Sequence, residues 1–320
     1  MGQSKSKMLS PDAISVKKKG FLYYLKRDWQ LYALMLLPMA FIIVFKYFAY
    51  TGLSVAFLDY KIGKGYAGSK FVGLKVFEKV FKHRDFGKAV ANTLLLNVLD
   101  LLFSFPMPII LALLLNEIRV KWFKRVTQTL LYLPHFLSWV VIGATAYAMF
   151  ATNSGVINTL IANAGKSPIP FLQEDAWWLF SYILIGIWQT MGWGTIIYMA
   201  CLAAVDTSNS ELYEAAKVDG ANRWQQCLHV TLPCIRSTIV VMLIMQLGKL
   251  MGGSFERIVA LSNAKATEFT TTIPVLVYKW FQGNKFSEST ALGLFQSVIG
   301  VILVILSDKI AKKLGEDGLL

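Results

Sequence analysis

The chain has 320 residues, of which 55% are hydrophobic and only 16% are charged, and 32 Lys and Arg against 19 Asp and Glu give a net charge of +13. Apolar surface in runs this long does not fit a soluble core of this size, and it excludes a disordered, collagen-like or disulfide-rich chain. In a soluble protein this charge would suggest nucleic acid as a partner. Here much of the excess lies beside apolar runs, so we expect an all-α membrane protein that binds no nucleic acid.

Six apolar runs follow a polar and basic N-terminal tail, and each is long enough to cross about 30 Å of hydrocarbon. The predicted spans are Leu31–Tyr50, Val90–Leu115, Thr127–Phe150, Leu179–Val205, Ser237–Leu261 and Thr290–Leu306. The chain is therefore divided into a tail, a first span with its external loop, a core of five spans, and a second tail. These regions are residues 1–28, 29–88, 89–308 and 309–320.

The positions of the Lys and Arg residues predict that both termini are cytoplasmic. The cytoplasmic connections in this topology are 1–28, 116–126, 206–236 and 308–320, and they hold 7, 4, 3 and 3 of these residues. The first external loop, 51–88, holds 8 and departs from the rule that positive charge stays inside. We keep the assignment because this loop is longer than the others.

The connection between the fourth and fifth spans has the pattern of two short helices joined by a turn. Ser208 with Glu211 three residues later predicts an N-terminal cap for a helix that begins near Asn209. Gly220 adopts the left-handed conformation without strain, so we expect it to end this helix.

A second helix is predicted from Ala221 to His229. Leu232-Pro233 is expected to mark its end, because proline disfavours the helical conformation in the residue before it. Residues 206–236 thus form a helix, a turn and a helix on the cytoplasmic side.

The same connection carries a recognisable spacing. Glu214-Ala215-Ala216 is followed after three residues by Gly220, and then by Val230 and Leu232-Pro233. This pattern resembles the EAA loop of binding-protein-dependent ABC importers, with Val230 in place of the commoner isoleucine. We call residues 206–236 the EAA segment. The resemblance implies that it docks on an ATPase subunit through Glu214, Ala215, Ala216, Asp219, Gly220, Leu232 and Pro233.

Other parts of the chain are similar to polysaccharide-type sugar permeases. The similar stretches are 104–118, 132–136, 192–198, 253–263 and 291–295. The resemblance implies a type I permease fold in a bacterial cytoplasmic membrane, and an oligosaccharide as the transported molecule. It also implies a second homologous permease, two ATPase subunits and an extracytoplasmic solute-binding protein. ATP and Mg²⁺ would be used by the ATPase subunits, and this chain would bind no cofactor.

A sugar pathway needs flat aromatic faces and polar groups near the middle of the membrane. In the fourth span these are Trp188, Gln189, Trp193 and Tyr198. In the fifth, Gln246 and Lys249 lie three residues apart on one face, and Arg257 follows. Lys249 and Arg257 would bind carboxylates if the sugar is a uronate.

These two cations have a second interpretation, in which they pair with Glu256, Asp100 or a residue of the partner permease. The sequence leaves both interpretations open, although for Asp100 we favour a structural role over a place in the pathway. Gly248 and Gly252 have the spacing of a close helix contact.

Two other classes of function compete with the importer interpretation. An ion-coupled secondary sugar transporter is the main alternative, but it would have no use for an ATPase-docking loop, and we see no internal repeat. A membrane enzyme needs paired carboxylates or a metal cluster, and no such pattern is visible. The cysteines Cys201, Cys227 and Cys234 lack metal-site spacing, so we expect free thiols and no metal.

Overall fold

The computed structural model describes residues 20–208, 210–263, 268–315 and 318. Most of the predicted tail 1–28 and the end of the tail 309–320 therefore lie outside the described residues. The chain divides into two compact units, Met1–Ser54 and Val55–Leu320. The domain boundaries given above remain predictions.

The described part of the first unit, from residue 20 onward, is mainly helical. Helix α1 is Phe21–Arg27, and α2 is Trp29–Ile42, which continues through a π-helical turn, Ile43–Tyr47. A 3-10 helix, Phe48–Phe57, carries the chain across the boundary between the units. The run from Trp29 to Phe57 is long and apolar enough to cross a membrane, and it contains the first predicted span.

The described residues of the second unit form helices joined by turns, and one small hairpin. Strand β1, Leu58–Asp59, pairs antiparallel with β2, Lys70–Phe71. The next helices are α3 Lys75–Phe81, α4 Phe86–Leu99, α5 Pro106–Glu117, α6 Lys121–Tyr132, α7 Trp139–Phe150, α8 Val156–Asn163 and α9 Asp175–Ser208. The remaining helices are α10 Ser210–Val218, α11 Arg223–Gln226, α12 Leu232–Cys234, α13 Arg236–Gly248, α14 Phe255–Leu261, α15 Ile273–Gln282 and α16 Phe286–Lys313.

Continuous helices of membrane length account for four of the predicted spans. Besides the run in the first unit they are Phe86–Glu117, Asp175–Val205 and Phe286–Lys313. Two further apolar stretches are bent pairs of helices, one bent by 102° before α7 and one by 63° before α13. The described residues therefore hold four spans, or six if each bent pair counts as one.

The second predicted span contains a π-helical turn, Asp100–Ser104, between α4 and α5. The Phe105 N–H donates to the Asp100 carbonyl at 2.9 Å, five residues back. Pro106 follows directly and has no N–H to donate, so the wider turn lets the helix continue past the proline. The turn also places Asp100 on the wall of the cavity described below.

The third predicted span, Thr127–Phe150, is wrong as a single helix. Pro134 lies in a 3-10 turn, Leu133–Phe136, and Leu137 is extended. A new helix then begins, with the Ser138 hydroxyl accepting the Val141 N–H at 3.4 Å. Proline and a serine N-cap together explain the bend.

The fifth predicted span, Ser237–Leu261, is also wrong as a single helix. Helix α13 ends at Gly248, and the chain turns before α14 through Gly253, whose φ of +76° is left-handed. Gly252 therefore lies outside the helix that contains Gly248, and the two do not form one helix surface. Gly248 instead packs on α16, where a Cβ added at Gly248 would overlap Val304.

Buried side chains form three clusters that hold these helices in place. One joins α3, α15 and α16, a second joins α4, α7, α9 and α14, and a third joins α5, α9 and α13. Helix α9 takes part in two of them. In the second, the Trp178 indole N–H donates to the Leu261 carbonyl at 2.8 Å, which fixes α14 against α9.

Candidate functional site

A cavity of about 1120 Å³ lies among the second unit's helices, and we call it the central cavity. Its walls come from α4, α5, α7, α9, α13, α14, α16 and the turns that join them. Six of the seven predicted pathway residues line it, namely Gln189, Trp193, Tyr198, Gln246, Lys249 and Arg257. Trp188 does not line it and is 42% exposed.

Arg257 is 2% exposed, and its guanidinium is enclosed on several sides. Its Nη2 donates to the Asp100 carboxylate and, at 2.5 Å, to the Tyr182 hydroxyl. The guanidinium carbon lies 3.7 Å from the centroid of the Tyr182 ring and 5.8 Å from that of Trp139. Helix α9 leaves room for it at Gly186, where an added Cβ would overlap Arg257.

This geometry favours the second interpretation of Arg257. Its partner is Asp100, as one of the alternatives proposed, whereas Glu256 is exposed and does not line the cavity. The Asp100 carboxylate also accepts from the Ser104 hydroxyl at 3.1 Å within the π-helical turn. The pair joins α14 to the junction of α4 and α5.

Lys249 differs from Arg257 although both line the central cavity. It directly follows the end of α13, it is exposed, and it makes no ion pair in the described part of the chain. Gln189, Gln246 and Gln296 bring amide groups to the same cavity from three different helices. Amides and a free ammonium group are suited to hydroxyls and carboxylates.

An aromatic surface forms a further part of the wall. The rings of His135 and Trp193 are stacked, with centroids 4.5 Å apart and an angle of 6° between the planes. Phe136 meets Trp193 edge-on at 5.8 Å. Gly192 lets α9 lie close to α6, because a Cβ at this position would overlap the Leu131 carbonyl oxygen. Stacked rings of this kind provide a flat face for a sugar ring.

His135 and Gln296 are polar cavity residues to which the sequence pattern assigned no role. His135 lies in a stretch noted only for its resemblance, and its Nδ1 atom is buried without a hydrogen bond in the described residues. Gln296 lies in the sixth predicted span. A single glutamine within an apolar helix is the signal that would have identified it.

The first helix of the EAA segment is α10, and it ends as predicted. Gly220 has a φ of +79°, and its N–H donates to the Lys217 carbonyl at 3.1 Å. The Ala221 N–H donates to the Ala216 carbonyl at 2.9 Å, which completes a Schellman motif. The predicted cap at Ser208 lies outside the described side chains, and α9 runs as far as this residue.

The second helix of the EAA segment differs from the prediction. Helix α11 begins with a capping box, in which Asn222 and Gln225 each accept the other's backbone N–H, at 2.9 and 2.8 Å. A π-helical turn, Cys227–Thr231, then leads into α12. The chain remains helical through Leu232-Pro233, because the wide turn accommodates the proline as it does before α5.

Side-chain contacts hold the EAA segment together. The hydroxyls of Tyr213 and Thr231 lie 3.0 Å apart, which joins α10 to the π-helical turn. Arg223 pairs with Glu117, at the end of α5, at 3.7 Å. Glu214 and Ala215 are exposed on α10, and so are Val218, at 88%, and Trp224 of α11, at 69%. The segment thus combines a fixed backbone with an exposed, partly apolar face.

The described residues contain no group of three or more His, Cys, Asp or Glu side chains that could hold a metal ion. Cys201, Cys227 and Cys234 are cysteines outside any disulfide.

Comparison with known proteins identifies relatives along most of the chain. Residues 104–315 match the family model described as binding-protein-dependent transport system inner membrane component. The chain is 42% identical over 304 residues to the polygalacturonan/rhamnogalacturonan transport system permease protein YteP of Bacillus subtilis (strain 168), covering 95% of this chain and 94% of the relative.

Two solved structures have a similar fold. One is a bacterial ABC transporter involved in the import of the acidic polysaccharide alginate, with a TM-score of 0.81 and 34% identity over 91% of this chain and 98% of the matched chain. The other is a bacterial alginate ABC transporter in complex with a periplasmic protein that holds an alginate pentasaccharide. It has a TM-score of 0.82 and 33% identity, and it covers 94% of this chain and 100% of the matched chain.

Proposed function

The chain belongs to the family of inner membrane components of binding-protein-dependent transport systems, and we propose that it forms half of the pathway through which an ABC importer carries an acidic oligosaccharide. The other half would be a second, homologous permease. An extracytoplasmic binding protein would deliver the sugar, and two ATPase subunits would use ATP and Mg²⁺.

The observation that supports an acidic substrate is the free cation of the central cavity. Lys249 is exposed to the cavity and makes no ion pair among the described residues. An uncompensated charge within a membrane protein is expensive, so it is expected where it meets a charge of opposite sign. Uronate units carry such a carboxylate, and the relatives with polygalacturonan and alginate in their names support the same class.

The aromatic and amide groups of the central cavity suit a sugar. Trp193 with His135 provides a flat face, Tyr198 a phenol, and Gln189 and Gln246 planar amides. Arg257 belongs to the wall as the partner of Asp100. Trp188 is left out of the proposed pathway.

The proposed topology has six spans and cytoplasmic termini. Each bent pair of helices then counts as one span beside the four continuous ones. The Lys and Arg residues of the segments 1–28, 116–126, 206–236 and 308–320 support this orientation through the positive-inside rule. It places the EAA segment in the cytoplasm, where the ATPase subunits are.

Within this topology α10 is the proposed docking element for an ATPase subunit. The Schellman motif at Gly220 and the contact between Tyr213 and Thr231 keep the segment rigid, so that a displacement of α10 is passed to α13 rather than absorbed. Its exposed face, which includes Glu214, Ala215 and Val218, is available for the contact. Ala216, Asp219, Leu232 and Pro233 complete the proposed docking segment, in which the Ala216 carbonyl accepts the Ala221 N–H and Leu232 packs against the cluster that joins α5, α9 and α13.

The class of transporter is tested by purifying the tagged chain from its native membrane in mild detergent and identifying the proteins that accompany it. We expect a second permease and an ATPase with a Walker motif, and uptake of a uronate oligosaccharide by vesicles that contain the complex and ATP. Recovery of the chain alone, in vesicles that still take up the sugar without ATP, would favour the secondary transporter.

A further inference from the structure

The charges on the wall of the central cavity are distributed unequally. Among the described residues, four ionisable side chains other than tyrosine line it, namely Asp100, His135, Lys249 and Arg257. Asp100 and Arg257 neutralise one another in a buried ion pair. Lys249 makes no ion pair in the described residues and is therefore the cation that a transported molecule meets.

We propose that Asp100 is a specificity-determining positioning residue, which neutralises Arg257 and so leaves Lys249 alone to set the pathway's preference for acidic sugars. The inference rests on the proposed function and assigns the preference to one side chain. Arg257 then contacts no substrate, although it is a buried arginine beside a sugar pathway.

The environment of Arg257 keeps it in this arrangement. The Tyr182 hydroxyl accepts one hydrogen bond, and its ring lies against the guanidinium face. Trp139 lies on another side, and the guanidinium fills the space beside Gly186. The Nε atom is buried and has no hydrogen bond in the described residues, so Arg257 depends strongly on the Asp100 carboxylate. Without that carboxylate the guanidinium would stay in the wall as an unpaired positive charge.

Variants of the pair and of Lys249 change the net charge of the cavity in different ways. Asp100→Asn leaves Arg257 unpaired and adds a positive charge, whereas Arg257→Gln leaves Asp100 unpaired and adds a negative one. The double variant Asp100→Asn with Arg257→Gln removes both and keeps the original net charge. Lys249→Gln removes the free cation, and Lys249→Arg keeps it.

The experiment compares uptake of a trisaccharide of galacturonate with uptake of its fully methyl-esterified form. The complete complex is reconstituted in vesicles, and each sugar is supplied on its saturated binding protein, so that the binding protein contributes equally for every permease variant. The ratio of the two uptake rates is the acid preference. A charge within about 10 Å of the sugar changes such a ratio by about tenfold where the effective dielectric constant is about 20.

We expect the variants to differ in acid preference in a definite order. The preference rises about tenfold in Asp100→Asn and falls about tenfold in Arg257→Gln and in Lys249→Gln. It stays close to the wild-type value in Lys249→Arg and in the double variant. Return of the acid preference in the double variant is decisive, because the double variant has no arginine at position 257.

Two results would overturn the inference. A double variant with the low preference of Arg257→Gln would show that Arg257 itself binds the carboxylate. An unchanged preference in Lys249→Gln would show that Lys249 does not set it. Both results can still be obtained if Asp100→Asn or Arg257→Gln alone fails to assemble. The double variant contains no unpaired buried charge, and Lys249 is exposed.

Failure of the proposed function gives a different result. In that case the wild-type complex would take up neither sugar, or would take up both forms equally well. The inference concerns only the changes between variants of a complex that prefers the acid.

Discussion

The EAA segment and the central cavity are both built around helix breaks, but the contacts that define them have very different ranges along the chain. In the EAA segment the Tyr213 and Thr231 hydroxyls are separated by 18 residues. In the cavity Arg257 meets Tyr182 across 75 residues and Asp100 across 157. The first region can therefore be largely interpreted from a short stretch of sequence, whereas the second exists only once the helices have packed.

This difference predicts how the two regions respond to substitution. A change in the cavity pair affects α4, α5, α9 and α14 together, since all of them meet at Arg257. A change in the EAA segment affects a short stretch held mainly by its own hydrogen bonds, with the exposed pair of Arg223 and Glu117 as a link to α5. Variants of the Asp100–Arg257 pair should therefore lower the stability of the fold, and EAA variants should mainly alter coupling or local opening.

The largest expected effect is that of Arg257→Gln. Removing one member of a buried ion pair leaves the other charge uncompensated and destabilises a protein by about 3–5 kcal/mol. Thermal unfolding of the purified complex measures this loss. The matched control is Lys249→Gln, which removes an exposed cation of the same cavity and should change stability by about 0.5 kcal/mol or less. Equal unfolding temperatures for the two variants would contradict the importance of the pair.

A smaller effect is expected for Gly186→Ala. The added methyl group overlaps the Arg257 guanidinium, and overpacking of this kind destabilises by about 1–3 kcal/mol. Gly293→Ala in α16 is the control, because no atom lies within 4 Å of its added Cβ. Thermal unfolding should separate the two alanines. A Gly186→Ala protein as stable as Gly293→Ala would mean that Arg257 moves aside without loss.

The sequence predicted the helical fold, the family resemblance and the end of α10, because each depends on composition or on a few neighbouring residues. Six of the seven predicted pathway residues line the central cavity, and their contact with a sugar stays a prediction. It did not predict the bend before α7, the end of α13 at Gly248 or the helical continuation through Pro233. Apolar runs show where a chain prefers lipid, but π-helical turns and breaks within a run depend on packing.

The assignment of Arg257 shows the same limit within the site. Its position near an apolar run was compatible both with a substrate contact and with a structural pair. The choice between them depended on where Asp100, Tyr182 and Gly186 lie relative to one another, and these come from different helices. Lys249 posed the same question, and its exposure in the cavity separates it from Arg257.

Gly220→Val tests the EAA segment at its turn. A β-branched residue in the left-handed conformation is strained by about 1–2 kcal/mol, and no atom lies within 4 Å of the added Cβ. We expect α10 to lose its fixed end, so that ATP hydrolysis no longer drives uptake while the complex still assembles. The measurement is the number of ATP molecules hydrolysed per sugar transported in vesicles.

Gly315→Val is the matched control for this prediction, because Gly315 also has a φ of +79° and open space around its added Cβ. It lies after α16 and outside the EAA segment, so its coupling ratio should stay at the wild-type value. Gly220→Asn should retain most coupling, since asparagine tolerates the left-handed conformation. Normal coupling in Gly220→Val would mean that the turn has no part in energy transfer.

The smallest expected effect is that of Asn222→Ala, which removes the capping box of α11. Loss of an N-cap side chain destabilises a helix by about 1 kcal/mol, and that corresponds to about fivefold faster hydrogen exchange. The faster exchange should be confined to the amides of α11, since the capping hydrogen bonds stay within four residues. Asn222→Asp keeps an acceptor and should exchange at the wild-type rate. Faster exchange in α9 or α14 as well would contradict the local character of the EAA segment, because a defect there would then reach the helices that hold Arg257.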